Sequence, residues 1–146
     1  MPTPFESAQL ILTLFEQRRE ETMRKARDFF ISFQPETADE FIAGMFGPQG
    51  GYVRMVISYW DMACSLVEHG AIDPAMFEAA NGEFRIVLAK LYPLLPEIRE
   101  KVGNAEFAAH IERFAYSRPE GREKIEATAE RIKAMLAARK AAAANA

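Results

Sequence analysis

The chain has 146 residues, 49% hydrophobic and 27% charged, with a formal net charge of −3. This is the size and make-up of one soluble domain with a core of its own, and the charge gives no general attraction to nucleic-acid phosphates. The single cysteine, Cys64, excludes an intrachain disulfide and fits a reducing compartment; with no basic segment at the N-terminus and no run of about 18 uncharged apolar residues, the expected setting is the cytoplasm, without a membrane span.

Thr3-Pro4-Phe5-Glu6 is a helix start, with Thr3 as cap, Pro4 in the first turn and Glu6 closing a capping box. Ala8, Leu12, Phe15, Arg19, Thr22, Ala26, Phe29 and Phe33 follow at steps of four and three. With Glu20–Arg24 and Glu21–Lys25 as i,i+4 pairs, this predicts one helix of about 30 residues, about 45 Å long if straight, ending near Pro35. Its charged middle is expected to be solvated or to overhang the bundle. Thr37 to Glu40 is a second capping box, opening a short helix through Phe46 that Gly47-Pro48 stops.

The segment Tyr52–Gly70 is apolar around most of its circumference, yet Arg54, Ser58, Asp61, Ser65 and Glu68 fall on one helical face. Asp73-Pro74 starts the next helix, expected to run through Phe77, Phe84, Leu88 and Leu91 to Tyr92 and to form an antiparallel hairpin with Tyr52–Gly70. Pro96 begins a further turn or two ending at Gly103. Asn104 is placed to cap a helix from about Ala105 to Tyr116, and a last helix starts near Arg122. No stretch alternates with period two. The expected fold is all-α, a helical bundle of about five to six helices around the central hairpin. Residues 1–140 form one domain, and 141–146 a frayed Ala-rich tail.

Leu66-Val67-Glu68-His69-Gly70, the turn Ala71-Ile72-Asp73, the helix through Tyr92, Ile98-Arg99-Glu100-Lys101, and Gly103-Asn104 leading to Phe107 and Phe114 make a recurring pattern. Over about Val53–Phe114 it resembles a bacterial family of uncharacterised all-helical proteins. The resemblance implies an all-α fold and no particular activity.

Two readings of the polar stripe are open. It is a solvated face, or a polar network met across the hairpin by Asn81, Arg85 and Tyr92, with an Asp61–Arg85 pair as the floor of a pocket. The aromatic pair Tyr59 and Trp60 fits core packing. His69 and His110 lack any ligand spacing, and Cys64 lacks a base, so neither a metal nor a cofactor is expected. Gly47 to Gly51 lacks the Lys-Ser/Thr of a phosphate loop.

Eleven Phe and seven Met exceed any recognisable chemistry. The leading expectation is therefore a non-enzymatic module that binds another protein or itself, as a homodimer. Two alternatives are a small-molecule bundle with a pocket lined by Arg54, Tyr59, Asp61 and Arg85, and an enzyme using Asp61, Glu68 and Arg85.

Overall fold

The computed structural model describes all residues, Met1–Ala146, and contains nine α-helices and no strand. They are α1 (Pro4–Arg18), α2 (Glu21–Ser32), α3 (Ala38–Phe46), α4 (Gly50–Glu68), α5 (Pro74–Ala80), α6 (Glu83–Leu91), α7 (Leu95–Val102), α8 (Ala109–Ser117) and α9 (Gly121–Ala144). The number exceeds the five to six expected because two long periodic segments are each divided.

The first division falls at Arg19-Glu20. The Glu20 carboxylate accepts the backbone N–H groups of Thr22 (3.0 Å) and Met23 (2.9 Å), so it caps a new helix instead of pairing with Arg24. One helix of about 30 residues is thereby replaced by two; α1 lies against α5, and α2 against α4. The second division is at Asn81-Gly82. Asn81 is extended, and its amide donates back to the Phe77 carbonyl at 3.1 Å, ending α5.

One helix starts later than its signal: Asn104 accepts the Glu106 N–H at 3.0 Å in a turn, and α8 begins at Ala109 instead of Ala105. Several other boundaries follow the sequence signals. Thr3 and Glu6 exchange both capping-box bonds, Thr37 caps α3, and Asp73 caps α5 through the Met76 N–H at 2.8 Å. Gly70, at φ 78°, closes α4 in a Schellman turn, with Ala71 N–H donating to Leu66 O at 2.9 Å. At Gly50 the constraint is space. A Cβ there would sit 2.2 Å from the Met45 carbonyl oxygen, so only glycine lets α3 and α4 meet at this corner.

α4 is the central element. Val53, Val56, Trp60, Ala63 and Cys64 on it are fully buried. Its nearest neighbours are α2, α8 and α3, while α6 lies against α9 and α8. The expected hairpin partner therefore reaches α4 through large side chains and not through close backbones. Trp60 meets Phe77, and Phe77, Phe84 and Phe114 stack edge-on or tilted at 5.2 to 6.0 Å. Every helix contributes to one cluster of 29 buried hydrophobic residues, in which each large side chain is worth about 1.5–3 kcal/mol by burial. α9 joins it through Ile125 and Ala129, and beyond Leu136 every residue of that helix is exposed.

Candidate functional site

Arg54, Ser58 and Glu68 of the stripe on α4 are exposed and Asp61 and Ser65 half-buried; none of the five meets Arg85. Arg54 donates from Nη1 to the Met45 carbonyl at the end of α3, at 2.5 Å. Asp61 Oδ1 accepts the N–H groups of His110 (3.0 Å) and Ile111 (3.1 Å), the first turn of α8. α8 has no side-chain cap of its own, and its cap residue Ala108 stands in the left-handed region at φ 54°. Asp61 thus caps, from α4, a helix that begins 48 residues later in the chain. Glu68 binds Arg113 through Nε at 3.0 Å and His110 through Nδ1. Burial pushes its carboxyl up, but these two partners hold it below the usual carboxylate range.

The other two residues of the expected pocket go elsewhere. The Tyr59 hydroxyl donates to the Leu14 carbonyl and ties α1 to α4; burial pushes its phenol up to about 12. Arg85 pairs with Glu78 at 2.7 Å. The structure does not bring Arg54, Tyr59, Asp61 and Arg85 to one cavity; each is committed to an internal partner.

Two ion clusters that the sequence reading missed stand near the core. Glu78 accepts from Arg85 (2.7 Å), Arg118 (2.7 Å) and Lys124 (3.3 Å), joining α5, α6, the α8–α9 turn and α9. Burial raises the Glu78 carboxyl, and the three cations more than reverse this, holding it at about 2. Glu83 is gripped by Arg27, with Nε 3.0 Å from both oxygens and Nη2 at 2.6 Å, and accepts the indole N–H of Trp60 at 3.2 Å. The Arg18 guanidinium lies 5.0 Å from the Trp60 ring and 5.5 Å from that of Phe15.

Lys90 on α6 is buried, and its ammonium caps the other end of a helix. Nζ donates to the last carbonyls of the α2 turn, Phe30 (2.5 Å), Ile31 (3.0 Å) and Phe33 (3.0 Å). Burial lowers its amine to about 8, while the carbonyls favour the charged form. Lys90 also forms the floor of a groove between α2, α6 and α9. A cavity of about 390 Å³ beneath Pro93 and Leu94 adjoins a second of about 200 Å³ between Ile31, Ile86 and Met135; Gln34, Lys90, Ile132 and Leu136 line both.

The most exposed apolar surface is on α1. Phe5 is 70% exposed, Leu12 63% and Phe15 49%, and with half-buried Ala8 they stand at steps of three, four and three. The opposite side of the same helix buries Ser7 and Leu14; the Ser7 hydroxyl accepts the Asp73 N–H at 3.0 Å. α1 is therefore docked by one face while a second apolar seam looks outward. The sequence carried this stripe, but its spacing reads equally as a face turned inward.

No three His, Cys, Asp or Glu side chains come together as a metal-ligand set. The His69 and His110 rings stand 6.4 Å apart, and His110 is taken by Glu68. Cys64 is buried, and burial pushes its thiol up. No helix is long and apolar enough to cross a membrane. A family profile, described as a domain of unknown function and designated DUF4760, matches residues 4–117, from the first residue of α1 to the last of α8. The chain belongs to the DUF4760 family. The DUF4760 match takes in α1 to α3 as well as the region from Val53 to Phe114, and it stops short of α9. No curated protein and no solved structure matches the chain.

Proposed function

We propose that this DUF4760 domain is a non-enzymatic, cytoplasmic self-associating module, and that the outward face of α1 is its seam. The observation that carries the reading is the run Phe5, Leu12, Phe15, exposed around half-buried Ala8 on a helix whose other face is already buried. Three large apolar side chains, with Ala8 between them to complete the three-and-four spacing, form the stripe that pairs two helices. Antiparallel pairing of two copies about a two-fold axis sets Phe5 opposite Phe15 of the second molecule and the two Leu12 side chains near the centre. α1 is only about 22 Å long, so the contact is small beside the ~800 Å² that a standard interface takes from each partner. The expected dissociation constant is accordingly on the order of tens of micromolar.

The ionised state of the carboxylates supports the non-enzymatic side of the reading. Glu68 and Glu78 are both held below the usual range by basic partners, opposite in direction to a carboxyl kept protonated for acid catalysis. Sedimentation velocity across the micromolar to submillimolar range tests the association. The wild type should shift toward a dimer with concentration, and Leu12→Glu/Phe15→Glu should stay monomeric with an unchanged melting temperature, since both residues are exposed. A wild type that remains a strict monomer throughout that range would overturn the reading.

A further inference from the structure

We propose that the groove between α2, α6 and α9 is a binding site for a single-chain anionic amphiphile, its headgroup at Arg139 and its alkyl chain running along Ile132 and Leu136 toward Leu94. The site is independent of the α1 seam. Its shape admits an extended chain. From Ala129 to Arg139 the groove follows α9 for about 15 Å, and the two adjoining volumes spread over that length give a mean cross-section of at least about 40 Å². An extended alkyl chain, about 4 Å across by carbon–carbon contact distance, fits.

The polar groups choose the sign of the head. Arg139 lies at the mouth of the smaller cavity, makes no ion pair within the chain, and no carboxylate shares that lining. The Lys90 ammonium below has all three protons engaged by the α2 carbonyls, so it contributes positive charge to the groove without competing for the headgroup. The far, larger cavity carries Glu36 and Lys133 together, and Lys133 stands 3.5 Å from Glu130, so charge there is offset and the anionic end is left to Arg139. The walls between are apolar apart from Gln34, and Ile31, Ile86 and Met135 at the rim are partly exposed, as an unfilled apolar slot leaves them.

Isothermal titration of the full chain with sodium dodecanoate, kept below its micelle threshold, tests this. Saturable one-to-one binding is expected, weakened about tenfold by Arg139→Glu and lost in Ile86→Glu, which sets a carboxylate in the slot. Dodecyltrimethylammonium, with the same chain and the opposite charge, should bind at least as weakly to the wild type as dodecanoate does to Arg139→Glu. Leu12→Glu/Phe15→Glu should bind dodecanoate like the wild type. Equal binding of both amphiphiles, an Arg139→Glu variant that binds dodecanoate unchanged, or loss of binding in the α1 variant would each overturn the proposal. So would a concentration-dependent dimer abolished by Ile86→Glu, which would give the groove to a second copy.

Discussion

Replacing Asp61 should loosen α8, although Asp61 lies on α4. Its carboxylate accepts two N–H groups of the first turn of α8, at 3.0 and 3.1 Å, and that helix has no other side-chain cap. Loss of a helix cap costs about 0.5–2 kcal/mol, and the negative charge at the positive end of the helix adds about 0.3–1 kcal/mol. Asp61→Ala should therefore cost about 1–3 kcal/mol. Asp61→Asn keeps an oxygen for the two donors and loses only the charge, so it should cost about 0.3–1 kcal/mol. At about 2–4 °C per kcal/mol for a domain of this size, the alanine variant should melt about 2–12 °C lower and the asparagine variant about 1–4 °C lower, by far-ultraviolet circular dichroism at neutral pH. Hydrogen exchange should quicken at the amides of His110 and Ile111. Ser58→Ala is the control, because that hydroxyl on the same stripe reaches only Met55 O of its own helix, at 3.3 Å. An Asp61→Ala melt within about 2 °C of the wild type, or an asparagine variant no better than alanine, would refute the role of Asp61 as the cap of α8.

The Glu78 carboxyl is held at about 2 against an ordinary 4.5, so its folded value is depressed, and its contribution is full above 4.5 and lost as pH falls toward 2. The unscreened difference is about 3 kcal/mol, and solvent at the rim of the cluster reduces it to about 1–2 kcal/mol. Acid unfolding of Glu78→Gln should lose that part of its pH dependence, and identical acid titrations of variant and wild type would count against it. Lys90→Met removes the donor from three α2 carbonyls and should destabilise by about 1–2 kcal/mol at neutral pH, with exchange quickening near Phe33. The folded amine titrates near 8 and the unfolded one near 10.5, so the unfolded chain holds the extra proton in that window. The wild type should therefore gain stability relative to Lys90→Met as pH rises from 8 to 10.5; a flat difference in urea titrations would contradict this.

The all-α class and most helix starts are legible in the sequence because caps are local. Thr3, Thr37 and Asp73 each satisfy a donor three residues away, and a short window contains both partners. Arg19-Glu20 is hidden because a glutamate followed by arginine four residues on looks helical; Glu20 folded back onto the Thr22 and Met23 N–H groups as a cap leaves no glycine or proline to announce it. Asn81-Gly82 did carry a turn signal, and the apolar spacing running through it outweighed that signal. The stripe on α4 was visible, but its partners are backbone groups at Met45, His110 and Ile111, which have no side-chain signature. Lys90 is one lysine in a helix, and nothing nearby reveals that it ends a different helix some 60 residues earlier.

The family match stops at residue 117, whereas the buried cluster does not. α9 begins at Gly121, where a Cβ would sit 2.1 Å from the Ala115 carbonyl oxygen, and goes on to cover α6 with Ile125 and Ala129 and to give Lys124 to Glu78. The stretch that relatives share and the body that folds are thus different lengths of chain. A fragment trimmed at Ser117 would leave the α6–α8 side, with Phe84 and Phe114, without its cover. It should therefore be recovered as a sticky, partly molten species even though it holds every residue by which its kinship is recognised.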